Sequence, residues 1–176
     1  MKKLFLVLAL AFAGIFTANA QVWIGGSTSA AINKAATKFA IAPEIGYSIK
    51  GTPWTIAIGA DYTFNQYKGL EATHGLILSP YVRYSICTIK NNENIDKFGL
   101  FLDLTGDFHV TESIENERTC YRVGLQPGIA WMATKHWTAA FRFAFIGYNY
   151  TDFYGDKGFR MSFATAAPGF GLYYNF

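Results

Sequence analysis

Hydrophobic and polar residues alternate along most of the chain with a period of two. From Trp54 to Asn65, Trp54, Ile56, Ile58, Ala60, Tyr62 and Phe64 fall on one side; Thr55, Ala57, Gly59, Asp61, Thr63 and Asn65 fall on the other. Successive side chains of a strand point to opposite faces, so the pattern predicts a strand with one apolar and one polar face. The same split recurs on five further stretches. Their apolar phases begin at Phe39, Leu76, Phe98, Tyr121 and Trp137, the last running through Ala139, Phe141, Phe143 and Phe145. Two more strands are less regular. One, from about 22 to 31, has no clear phase. The other starts with Phe159, Met161 and Phe163 in one phase and ends with Phe170, Leu172, Tyr174 and Phe176 in the other. A β-bulge near Pro168, which adds one residue to one strand, is the expected cause of the slip.

These are eight strands of roughly ten to fifteen residues, long enough to span a bilayer when tilted. Lys50–Pro53 and Ala133–His136 read as short turns, and Thr88–Asp96 as a longer polar one. The other connections, 32–37, 66–73, 112–119 and 150–158, are modestly longer. No linker, low-complexity tract or repeat beyond the alternation marks a second domain. The expected fold is all-β: an eight-stranded antiparallel up-and-down barrel.

Alternation alone does not say which face is inside. The polar phase is rich in Gly, Ala, Ser and Thr, which suit the crowded interior of an eight-stranded barrel. A soluble surface would instead carry abundant Lys and Glu. The apolar phase has aliphatic residues at mid-strand and aromatics toward the ends. Trp54, Tyr84, Phe98, Trp131 and Trp137 lie beside the short turns; Tyr62, Phe64, Tyr121, Tyr148 and Tyr150 lie at the opposite ends. Two aromatic girdles flanking an apolar band are the pattern of a transmembrane β-barrel. A soluble ligand-binding barrel, with the faces exchanged, is the competing reading.

The first 20 residues stand apart. Lys2 and Lys3 precede an apolar run from Leu4 to about Phe16, and Ala18-Asn19-Ala20 follows. This reads as a secretory signal peptide cleaved after Ala20, leaving 21–176 as the barrel domain. No later segment is apolar for the ~20 residues that a spanning helix needs, which excludes a helical membrane protein. The composition of the 176 residues, 51% hydrophobic and 15% charged with a net charge of +3, gives no support for disorder or for nucleic-acid binding.

The signal peptide, the amphipathic strands and the ending Phe170-Gly171-Leu172-Tyr173-Tyr174-Asn175-Phe176 resemble the small OmpA/OmpX-type outer-membrane barrels of Gram-negative bacteria. The resemblance implies outer-membrane localisation, contact with outer-membrane lipids and lipopolysaccharide, and assembly by the barrel-assembly machinery. Phe170, Leu172, Tyr174 and Phe176 would carry the assembly signal. It also implies that Phe176 and the short turns are periplasmic, with the four longer connections facing outward. A periplasmic domain after the barrel is not expected, nor is the anchoring role of the longer members that carry one.

The charged residues of the polar phase are the candidate site. Glu44, Asp61, Asp103 and Asp107 face Arg83, Arg122 and Arg142 inside the expected lumen, with Gln126, His109, Asn65 and Tyr81 as further hydrogen-bonding groups. Buried charges must pair or reach water. The expectation is an interlocking network, with Arg142 or Arg83 bridging Glu44 and Asp61, in a side-chain-filled barrel with a structural or surface-interaction role. The alternatives are a narrow gated pore and, further off, a lipid A-modifying enzyme using His74 with Ser113 or Glu112. His109 with Asp107 is too little for a metal site; no catalytic residue, metal or cofactor is expected. Cys87 and Cys120 fall at opposite strand ends and are expected to be free thiols. Glu112, Glu115, Glu117, Arg118, Asp152, Tyr154 and Asp156 are the loop candidates for surface contact.

Overall fold

The computed structural model describes residues 21–32, 36–67, 72–90, 96–110, 121–150, 158–163 and 169–176. They form ten strand segments and no helix: β1 (Gln21–Ile32), β2 (Ala36–Ser48), β3 (Trp54–Tyr67), β4 (Thr73–Lys90), β5 (Asp96–His109), β6 (Tyr121–Met132), β7 (Trp137–Arg142), β8 (Ala144–Asn149), β9 (Gly158–Phe163) and β10 (Gly169–Asn175). Neighbouring segments pair antiparallel, β5 with β6 included, and β1 closes the ring on β10 from Trp23↔Asn175 to Thr28↔Phe170. β7 and β8 both pair with β6, and β9 and β10 pair with β8 and β7. The ten segments are therefore eight passes of one barrel.

The wall points its apolar phase outward. Ile45, Ile56, Ile58, Leu78, Leu104, Leu125 and Ile129 are exposed, whereas Glu44, Thr55, Asp103, Thr105 and Asp107 are buried. Pro43, Pro80 and Pro127 sit in the outward phase. Pairing of β2 with β3 skips Pro43, and pairing of β4 with β5 skips Pro80, because proline has no N–H to give the ladder.

Two irregularities depart from simple alternation. β4 runs on to Lys90, past the expected turn at Thr88, with a register shift between Ser85 and Cys87. The seventh pass is broken at Phe143. Gly128 pairs with Arg142 and Leu125 with Ile146, so three residues on one strand oppose two on the other. This bulge reverses the phase beyond it. Phe145, expected to face outward, is only 5% exposed and packs inside, while Ile146 joins the outer phase beside Leu125. The expected bulge near Pro168 lies outside the described residues. On either side of it Phe159, Met161 and Phe163, and then Phe170 and Leu172, are exposed in opposite phases.

Inside, aromatic rings lie against glycines. A Cβ on Gly46 would run into the Trp23 ring and stand 2.9 Å from the Ala57 Cβ; one on Gly128 would run into the Phe101 ring. Trp23, Ala57, Tyr81, Phe101, Ala130, Ala140 and Tyr173 form the buried core cluster. Gly46→Val is therefore expected to destabilise the barrel by about 1–3 kcal/mol through overpacking. Urea unfolding would measure this, and a smaller Trp23→Phe ring in the same chain should return part of the loss.

Candidate functional site

The lumen is crossed at mid-height by a layer of charged and aromatic side chains. Glu44 of β2 is its hub. Its Oε1 accepts a hydrogen bond from Ser27 Oγ of β1 at 2.7 Å, and its Oε2 accepts one from Tyr81 OH of β4 at 2.6 Å. Tyr173 OH of β10 lies 3.3 Å from both oxygens. Arg142 of β7 donates to the same carboxylate through Nη1 and Nη2, at 3.3 and 3.2 Å.

Arg142 also joins Glu44 to a second carboxylate. Its Nε donates to Asp103 Oδ2 at 2.9 Å, and Arg83 grips the same Asp103 through Nε at 2.7 Å and Nη2 at 2.8 Å. Asp103 is 0% exposed. Such burial is tolerable because two guanidinium groups neutralise it and the fork geometry satisfies its lone pairs. The Arg83 guanidinium lies 3.7 Å above the Phe101 ring, and that of Arg142 lies 5.0 Å from the Tyr81 ring, so cation–π contact adds to the charge pairing. A separate pair stands nearer the loop end. Arg122 of β6 donates to Asp107 of β5 through Nε at 2.6 Å and again through Nη2, and its guanidinium covers Phe145 at 4.5 Å.

Asp61 departs from expectation. Arg142 reaches Glu44 but couples it to Asp103, and Asp61 takes its hydrogen bond from Ser79 instead. The register explains this. Glu44 pairs with Gly59, so Asp61 is displaced along β3, while Asp103 faces Arg83 directly across β4 and β5. Ser27, Ser79, Thr105 and Tyr173 are partners that the alternation did not single out. Tyr173 could have been found as an aromatic at an inward position of an otherwise outward-aromatic strand.

The layer divides the lumen. Toward the longer loops lies a cavity of about 480 Å³, lined by Glu44, Asp61, Asp107, Arg122, Gln126 and Arg142 among others. Toward the short turns lies one of about 360 Å³, bordered by Trp23, Arg83, Phe101 and Tyr173.

At the outer surface, aromatic pairs cluster at the strand ends. Near the turns Trp54 packs on Tyr84 at 4.8 Å, Phe98 stacks on Trp131 at 6.5 Å, and Trp137 meets Tyr174 at 5.2 Å. Phe176 packs edge-on against Tyr174, while Phe170 and Leu172 are exposed. At the other end Tyr121 stacks on Tyr150 at 4.5 Å, Tyr148 is exposed, and Tyr62 and Phe64 flank His74. His74 Nδ1 is 2.5 Å from Tyr62 OH; Ser113 and Glu112 lie outside the described residues, as do the other loop candidates. His109 is half-buried near Asp107, whose carboxylate is taken by Arg122 and Thr105. Among the described residues, no three metal-ligating side chains gather. Cys87 is an exposed free thiol, and Cys120 lies outside the described residues.

No protein-family model matches the chain, and no curated protein sequence matches it. Solved structures do. The chain is similar to the N-terminal β-barrel domain of Pseudomonas aeruginosa OprF, with a TM-score of 0.57 and 14% identity over 89% of this chain and 97% of that one. It also matches the outer membrane protein OprG of the same organism, at a TM-score of 0.45 and 10% identity over 90% and 96% of the two chains. At such identities the OprF likeness speaks to the fold. That fold is the closed eight-stranded antiparallel barrel of small outer-membrane proteins.

Proposed function

We propose that the chain is an integral outer-membrane protein, exported by a signal peptide (residues 1–20) and anchored by its barrel, with a structural or surface-interaction role and no enzymatic activity. The observation that carries this reading is the orientation of the wall: an aliphatic belt faces outward between two aromatic girdles, and the charges face in. Outer-membrane lipids and lipopolysaccharide are the partners suited to that belt. The aromatic ending Phe170, Leu172, Tyr174 and Phe176 suits recognition by the barrel-assembly machinery. Membrane fractionation with heat-modifiable gel migration tests the reading. The protein should need detergent for extraction and migrate faster unheated; recovery in plain aqueous buffer would overturn it.

A narrow pore is the second reading, supported by the two cavities that lie on either side of the layer within the lumen. With Glu44, Arg142, Asp103 and Arg83 in mutual contact, the expected result in planar bilayers is no stable conductance. A steady open channel in the unmodified protein would favour the pore instead.

A further inference from the structure

The turn-end cavity is not needed by the reading above, and its lining has a character of its own. Its volume of about 360 Å³ falls within the roughly 300–1,000 Å³ typical of small-molecule sites. Arg83 and Lys135 line it, and among the described residues no Asp or Glu does. The loop-end cavity, by contrast, has Glu44, Asp61 and Asp107 in its wall beside two arginines. The hydroxyls of Ser48, Thr55, Ser85, Thr88 and Thr138 surround the turn-end space.

We propose that this chamber binds a small hydroxylated anion, of the sugar-acid class, entering from the turn end of the barrel. Four features select that chemistry. Asp103 engages Nε and Nη2 of Arg83, which among the described residues leaves Nη1 for a ligand, and the Phe101 ring holds the guanidinium in place. Lys135 sits exposed on the 133–136 turn at the rim and, among the described residues, makes no ion pair. It can swing over an entering carboxylate, whereas Arg83 is fixed deeper in. The hydroxyls, two of which bond each other (Ser48 with Thr55, 3.2 Å), both donate and accept, as the hydroxyls of a sugar do. The buried rings of Trp23, Phe101 and Tyr173 give the inner boundary an apolar surface for the C–H face of a sugar ring. A bare inorganic anion can accept from the cations and hydroxyls but has no C–H face for the rings, and a neutral sugar gives the two cations no charge to pair with.

The inference rests on the lumen and not on where the barrel resides. It is tested on the chain as 21–176, folded in detergent micelles, by titrating glucuronate, glucose and inorganic phosphate and following backbone amide NMR shifts. Glucuronate should give saturable shifts at Ser85, Lys135 and Thr138, with Ser162 of the loop-end cavity unmoved. Glucose and phosphate should each bind roughly tenfold more weakly or worse, and Lys135→Gln should weaken glucuronate by about the same factor. Because Lys135 is an exposed turn residue, this variant keeps the fold, which unheated gel migration would verify. No saturable glucuronate shift, equal binding of phosphate, or undiminished binding by the Lys135→Gln protein would each overturn the proposal.

Discussion

Replacing Arg142 by alanine is expected to destabilise the barrel by about 3–5 kcal/mol, the cost of removing one partner from a buried ion pair. The reason is geometric. Arg142 contacts both Glu44 and Asp103, so its loss leaves two buried carboxylates facing one remaining guanidinium, that of Arg83. Glu44 keeps the hydroxyls of Ser27, Tyr81 and Tyr173, but those are neutral donors and do not cancel its charge. Urea unfolding in lipid vesicles measures the effect. Arg122→Ala is the comparison: its side chain is 26% exposed and water can replace it beside Asp107, so a smaller loss is expected. Combining Glu44→Gln with Arg142→Met should recover part of the loss, because an isolated charge is removed along with its partner. A change for Arg142→Ala within about 0.5 kcal/mol of the unmodified protein would sink the idea that this layer holds the lumen together.

How much of this was legible in the chain depends on which face one asks about. The outer wall was legible because large apolar side chains occupy nearly every second position along the strands. The seventh pass was misread beyond Phe143 because both phases there are apolar: Ala144 and Ile146 alternate with Phe143 and Phe145, so a one-residue bulge leaves no mark. The first strand read as phaseless because Trp23 faces inward, seated over Gly46. Only the register shows that an aromatic can stand in the lumen where the facing strand supplies a glycine. The prolines hid a recurrence. Ile41-Ala42-Pro43, Leu78-Ser79-Pro80 and Leu125-Gln126-Pro127 each place a proline in the outward phase after an aliphatic residue, on the second, fourth and sixth passes. Alternation treats proline as one more apolar position and misses this. The charges were legible as a set but not as pairs. Local register brings Arg83 beside Asp103 and Arg122 beside Asp107, whereas the reach of Arg142 to Glu44 crosses the lumen and depends on the diameter of the closed ring.

Placing a charge on the outer wall separates a lipid-facing barrel from a water-facing one more sharply than any lumen change. Leu104→Arg is expected to cost about 2–4 kcal/mol in a bilayer, the penalty measured for arginine at mid-depth on such walls. Leu104 is 51% exposed and paired with Val82 and Leu125 near the middle of β5, so an arginine there has room and clashes with nothing inside. Were the barrel soluble, the same exposed substitution would change stability by no more than about 0.5 kcal/mol. Depth supplies the internal control. Phe98, at the turn end of β5 and stacked on Trp131, lies in the aromatic girdle, where arginine costs only about 0–1 kcal/mol for its charge. Folding titrations in vesicles should therefore rank Leu104→Arg well above Phe98→Arg, even though the phenylalanine change also gives up an aromatic contact. Equal costs at the two depths, or a negligible cost at Leu104, would mean that water and not hydrocarbon covers this wall, and the outer-membrane reading would fall with it.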